Sequence, residues 1–317
     1  GGWSCGCADF EAVDGGRFCQ CGHKESAHRS RTESLSDVQD PPEHWARDED
    51  GRAMEGLVEV TDDALLEQMQ GFFDAAHKGE DNWTRDRGCS IHGRSHPDCD
   101  WGCMKSNGNK VPTGFRVRRV FRNQNAELWR HYALSRNAIF SECEGEAEFV
   151  AVEVPGQAEL EAGVVEGCNE WRLFHSTNIQ AARGICASNF RLSLSGTGAT
   201  WKAPGTDKGS PLYGFGIYLA EMVTKSDEYA EALPEEEEDA GLYPMLVVRC
   251  IGGRSNIVET NEIDKDKLKN DVFDGPYHSV FGDRVKTLGK PYREVVVYDK
   301  DQIFPEYLVL YERLDDS

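Results

Sequence analysis

The sequence predicts an α+β fold with a small Cys/His-rich appendage at its N-terminus. Three observations carry that reading. The last third is rich in strand formers: Met245 to Val248 is a continuous apolar run, and Val295 to Val297 and Tyr307 to Tyr311 are β-branched or aromatic. Leu57 to Ala76 sets Leu65, Leu66, Met69, Phe72 and Phe73 three and four residues apart, which makes one apolar face of a helix. The first stretch of chain places Cys5, Cys7, Cys19, Cys21, His23 and His28 around a Gly15-Gly16 turn, in a segment too short to fold by apolar burial alone.

The elements follow in chain order. Residues 1–30 form a zinc-type module, because histidines among paired cysteines fit a zinc site better than a disulfide framework. Zinc takes four ligands and six are offered. Cys7, Cys19, Cys21 and His28 are the preferred set, with Cys5 and His23 as alternates. Residues 31–55, polar and bearing Pro41-Pro42, read as a linker, and the main domain then spans 56–317. Its first helix, capped by Thr61-Asp62-Asp63, is scaffold. A Cys/His-rich insertion at 88–104 follows, spaced Cys89-x2-His92-x3-His96-x2-Cys99-x3-Cys103. It predicts a second zinc site, on a loop rather than a helix because of Pro97 and the glycines at its ends. Phe115 to Val120 is a strand. Asn125 caps a helix that carries Leu128, Trp129 and Tyr132. Residues 141–167 are acidic and read as loops with a short strand, and the five acids Glu235 to Asp239 as a solvated loop.

Composition narrows the function. With 56 acidic against 35 basic residues the formal charge is −21, which argues against unaided nucleic-acid binding. The apolar runs are far shorter than a membrane span. An odd total of eleven cysteines, seven of them in the two clusters with histidines, fits a reducing compartment, so the expected location is intracellular, in nucleus or cytoplasm.

The chemistry concentrates between Leu212 and Tyr229. Gly214 and Gly216 let backbone pass close to a flat group, and Tyr218 and Tyr229, eleven residues apart, can clamp a planar ring. Ser226 can bond a carboxamide, His175 can donate to a ribose hydroxyl, and Glu294 can face a sugar carbon that turns cationic as the ring departs. Gathered on one sheet face, these groups suit cleavage of a nicotinamide–ribose bond through an oxocarbenium-like transition state.

Leu173–Thr177, Gly214–Tyr229, Tyr277-His-Ser-Val280 and Glu294–Leu308 together resemble the catalytic domain of the poly(ADP-ribose) polymerase family. Thr84-Arg-Asp-Arg87 and Val120 through Trp129 to Tyr132 resemble the segment that opens these domains, so the likeness covers residues 55 to 315. The resemblance implies the ADP-ribosyltransferase fold, two apposed antiparallel sheets with flanking helices around an NAD cleft. It implies a catalytic triad of His175, Tyr218 and Glu294. His175 and Thr177 would hold the adenosine-side ribose, with Arg191 nearby. Gly216, Tyr218 and Tyr229 would frame the nicotinamide, and Ser226 and the backbone of Ser176 would bind its carboxamide. Ser193 to Ser210 would be the donor loop and residues 252–291 the acceptor side.

The implied reaction is transfer of ADP-ribose from NAD to protein acceptors, this chain among them, with extension to poly(ADP-ribose) chains. Single transfer is the alternative, and a non-catalytic scaffold that binds NAD or ADP-ribose is the other. Ser176 stands where the family keeps glycine, which predicts a Cβ in the pocket and weaker NAD affinity. The acidic residues before His175 are too few for the family's helical regulatory domain, so no direct activation by DNA breaks is expected.

Overall fold

The structure is a computed structural model. It describes residues 41–79, 87–92, 101–144, 151–152, 154, 160, 163–192, 211–260 and 262–315. The elements in chain order are β1 (Gly56–Glu59), α1 (Asp63–Ala75), α2 (Trp101–Asn107), β2 (Gly114–Gln124), α3 (Ala126–Cys143), β3 (Glu170–His175), α4 (Ile179–Ser188), β4 (Ile217–Ala220), α5 (Val223–Asp227), β5 (Tyr243–Ile251), β6 (Ser255–Val258), α6 (Lys265–Phe273), β7 (Ser279–Gly282), α7 (Arg284–Leu288), β8 (Glu294–Val297) and β9 (Ile303–Leu314).

Among the described residues nine strands join in the order β1-β2-β9-β5-β3-β4-β8-β7-β6. The α+β class is the one the sequence predicts. The two expected sheets are linked into one ladder by a single register pair, Phe174↔Ala220 between β3 and β4. On one side of that link β2, β9, β5 and β3 pair over six to eight residues each. On the other side β4, β8 and β7 form a smaller antiparallel set. At the far edge β6 runs parallel to β7, because α6 crosses between them.

Burial follows the strand period. Successive residues of β5 feed opposite faces, and both faces are covered, which is why its sequence is continuously apolar. Met245 and Val247 pack with Leu65, Met69, Phe72 and Phe73 of α1. Leu246, Val248 and Cys250 pack with Ile179, Ala182 and Cys186 of α4. That second core also takes in Ile217 and Leu219 of β4 and Val295 and Val297 of β8, so the two halves of the ladder close on shared apolar contacts.

The predicted caps form: the Asp62 carboxylate accepts from the Ala64 and Leu65 amides, and the Asn125 side-chain oxygen from Leu128. Three expectations are corrected. Leu57 lies in β1, not with the helix, because its strand pairs with β2. The stretch 41–55, read as linker, folds against the domain. Trp45 is buried between Trp129 and Phe304, and the Gln124 side chain bonds the backbone of Ala46 and Met54. The end of the Cys89–Cys103 cluster, read as loop, is helical from Trp101, where α2 starts beyond Pro97. The acidic run is the expected solvent-facing turn, and within it Glu237 pairs with Arg183, and Glu238 and Asp239 with Arg119.

Candidate active site

The last residue of β3, the middle of β4 and the first residue of β8 are His175, Tyr218 and Glu294, on three consecutive strands of the sheet. Register fixes the placement. Ala220 pairs with Phe174 on one side and Glu294 on the other, and Tyr218 pairs with Val296. Two glycines let the approach to β4 fit. Gly214 has φ +88, a conformation that disfavours side chains. At Gly216 an added Cβ would lie 2.5 Å from Val296 Cγ1 and 3.0 Å from the Val297 carbonyl, so the chain can pass β8 this closely only as glycine.

The His175 ring is pinned on two sides. Its Nδ1 lies 3.0 Å from the Tyr218 carbonyl, and Phe190 packs edge-on at 4.9 Å between centroids. A carbonyl can only accept, so Nδ1 carries the proton. Burial, partly offset by that hydrogen bond, pulls the imidazole below its ordinary value and keeps it neutral. Neutral His175 therefore presents Nε2 as an acceptor. This corrects the expectation that it donates to a ribose hydroxyl: the hydroxyl would donate to it. The Tyr218 hydroxyl is committed to its own turn. It donates to the Gly214 carbonyl and accepts from the Tyr213 amide, both at 2.8 Å. Burial pushes its ionisation up, so the residue is a neutral phenol and offers its ring rather than its oxygen.

Short helix α5 supplies Ser226, which is buried, and Tyr229 follows one turn later. Lys225 on the same turn is buried, a residue that sequence reasoning passed over. Its Nζ donates to Glu228 at 2.7 Å and to the Tyr229 hydroxyl at 3.2 Å, and lies 3.8 Å from Glu294 Oε1. The ammonium thus ties the Tyr229 ring to the Glu294 carboxylate. The spacings Lys225-x2-Glu228 and Lys225-x3-Tyr229 were the available signal. Next to Glu294, Arg293 forms a two-pronged ion pair with buried Glu221, which fixes the start of β8 against the end of β4.

The last residue of α5 is Asp227, fully buried and also missed. Its carboxylate accepts from Arg87 (2.7 Å), Tyr311 (2.6 Å) and Arg313 (2.8 Å), while the Arg87 guanidinium also donates to the Thr224 carbonyl.

Ser176 departs from expectation. Its hydroxyl donates to the Pro244 carbonyl on β5 at 2.5 Å, so the added side chain turns into the sheet and not into the cleft. The reason for predicting weakened NAD binding therefore falls away. Thr177 is half-buried beside it, and Arg191 is exposed just past Phe190. The donor segment 193–210 lies outside the described residues.

Of the second set of metal candidates, Cys89, His92 and Cys103 converge: their ligand atoms all lie within 4.8 Å of one another. His96 and Cys99 lie outside the described residues, as do Cys5, Cys7, Cys19, Cys21, His23 and His28. No helix among the described residues is long and apolar enough to cross a membrane.

Comparison with known proteins identifies a family. The family model for the poly(ADP-ribose) polymerase catalytic domain matches residues 101–313, well over half of the chain. The chain belongs to the poly(ADP-ribose) polymerase catalytic-domain family. The human protein mono-ADP-ribosyltransferase PARP12 is 23% identical over 206 residues. The match covers 64% of this chain but 23% of that relative, so the chain spans under a quarter of the relative's length.

Proposed function

We propose that the protein transfers ADP-ribose from NAD to protein acceptors, its own chain included, and releases nicotinamide. The observation that supports this best is the row His175, Tyr218, Glu294 on adjacent strands, with Lys225 linking Glu294 to Tyr229. In this reading the nicotinamide ring lies between the Tyr218 and Tyr229 rings and its carboxamide meets Ser226 and the Ser176 backbone. His175 Nε2 accepts from a hydroxyl of the adenosine-side ribose. The bond between the ribose C1′ and the nicotinamide nitrogen breaks, and nicotinamide leaves with the electron pair. Positive charge grows on the sugar, and the Glu294 carboxylate stabilises it. The acceptor's nucleophilic atom then bonds to C1′ and gives up its proton.

Single transfer is our reading of the product, favoured by the similarity to a mono-ADP-ribosyltransferase. Chain extension is the second reading, favoured by a retained carboxylate that could also polarise an incoming ribose hydroxyl. Incubation with labelled NAD followed by a denaturing gel tests both. A sharp labelled band and released nicotinamide are expected. A ladder would replace the first reading with the second. Neither label nor nicotinamide would leave a binding scaffold.

A further inference from the structure

Cys89, His92 and Cys103 are arranged as metal ligands are. His92 Nδ1 lies 3.4 Å from Cys89 Sγ and 3.4 Å from Cys103 Sγ. A tetrahedral zinc ion with Zn–S of about 2.3 Å and Zn–N of about 2.0 Å sets sulfur and nitrogen ligands about 3.5 Å apart. One ring N–H cannot serve two sulfurs equally well, whereas two thiolates and an imidazole around one ion give this triangle. Both sulfurs are reduced. Each sulfur also accepts a hydrogen bond that holds it in place: the His92 amide reaches Cys89 Sγ at 3.0 Å, and the Asn107 side chain Cys103 Sγ at 3.6 Å. Two soft sulfurs with one imidazole select zinc over the hard cations.

The place of this triangle in the fold gives it a consequence. Cys89 follows Arg87 by two residues, and Arg87 donates to Asp227 and to the Thr224 carbonyl beneath α5. The loop between them is zipped at its base. The Ser90 amide bonds the Asn107 carbonyl, the Asn109 amide bonds the Gly88 carbonyl, and the Asn109 side chain bonds the Arg87 carbonyl. Cys103 comes from α2, so an ion held by Cys89, His92 and Cys103 ties α2 to the segment that carries Arg87, which is joined to Gly108 by an isolated bridge at Cys89. Cys89, His92 and Arg87 all precede the segment matched by the family model.

We propose that Cys89, His92 and Cys103 bind zinc, and that this ion holds Arg87 under α5 and so keeps the nicotinamide wall in place. The coupling rests on the reading of α5 as that wall. Coupling is reciprocal: nicotinamide must tighten zinc by the factor by which zinc tightens nicotinamide.

The test uses the full chain, elemental analysis for zinc and calorimetric binding of nicotinamide itself. Cys103→Ser should carry one zinc equivalent less than wild type, whatever the N-terminal cysteines hold, and bind nicotinamide about tenfold more weakly. Arg87→Ala should keep the zinc and lose the same affinity. Should Cys103→Ser not fold, wild-type protein titrated with a chelator should release its zinc at about tenfold higher chelator when saturated with nicotinamide. Unchanged zinc in Cys103→Ser overturns the metal site. Zinc lost with nicotinamide affinity intact, or a chelator titration indifferent to nicotinamide, overturns the coupling. Wild-type protein that holds zinc but never binds nicotinamide overturns the coupling and the proposed function while the metal site stands.

Discussion

At the scale of single residues, Glu294 carries the largest consequence. A carboxylate near a forming oxocarbenium ion stabilises charge that exists only in the transition state, so removing it should slow turnover far more than it weakens binding. Terms of this kind are worth about 2.7 to 4 kcal/mol, or about a hundred- to a thousand-fold in rate. Glu294→Gln keeps the shape but deletes the charge opposite Lys225. Automodification by that variant should fall by this factor, with nicotinamide binding within a few-fold of wild type. Full activity in Glu294→Gln would mean that the carboxylate is only a strand end. The neighbouring groups explain why Glu294 is held where it is. Arg293 is anchored on Glu221, and Lys225 is shared among Glu228, Tyr229 and Glu294. Ser176 belongs to the same scale. With its hydroxyl bound to Pro244, it is an anchor between β3 and β5 rather than an obstruction.

At the scale of elements, the site depends on how closely β4 approaches β8. Gly216 has no room for a methyl group, since Val296 and the Val297 carbonyl already occupy it. Gly216→Ala should therefore push β4 off β8. Overpacking of this kind costs about 1–3 kcal/mol. A thermal melt should show a lower midpoint, and nicotinamide binding should weaken because Tyr218 moves with its strand. An unchanged melt would show that the strands yield without cost. The elements also show what the sequence could and could not disclose. The sequence offers His175, Tyr218, Ser226, Tyr229 and Glu294 as candidates through the joint order of their motifs, each of which is weak alone. The pairing of Arg87 with Asp227 was not readable, because it spans 140 residues, and the Thr84-Arg-Asp-Arg87 motif does not by itself point to Asp227. Trp45 was lost in a window dominated by Pro41-Pro42 and charged residues, and its partners Trp129 and Phe304 are remote in sequence. Phe190, which braces His175, looked like any apolar residue after a helix.

At the scale of the whole molecule, the five-strand half of the sheet is crossed by a buried ionic array. Arg172 of β3 and Arg249 of β5 are register partners, and both donate to Glu306 of β9, at 2.7 and 2.8 Å. Arg249 also reaches Glu170 at 3.0 Å, which accepts from Tyr132 at 2.6 Å. Two like-charged guanidiniums side by side in a core are tolerable only with these carboxylates ionised. Burial alone would raise the Glu306 carboxyl, but Arg172 and Arg249 override it and hold it at about 2. The sign follows from that shift. Below the ordinary value of 4.5 the unfolded chain takes up a proton that the folded chain refuses. The stability Glu306 contributes is thus complete above pH 4.5 and is lost as pH falls toward about 2, to a total of about 3 kcal/mol. Glu306→Gln leaves two buried guanidiniums short of a counter-charge, and removing one partner of such a pair costs about 3–5 kcal/mol at neutral pH. Denaturant melts of wild type and Glu306→Gln between pH 2.5 and 7 should therefore converge as the acid is reached, because the variant has no carboxyl there to protonate. Curves that stay parallel across that range would mean that the array is held by packing rather than by charge.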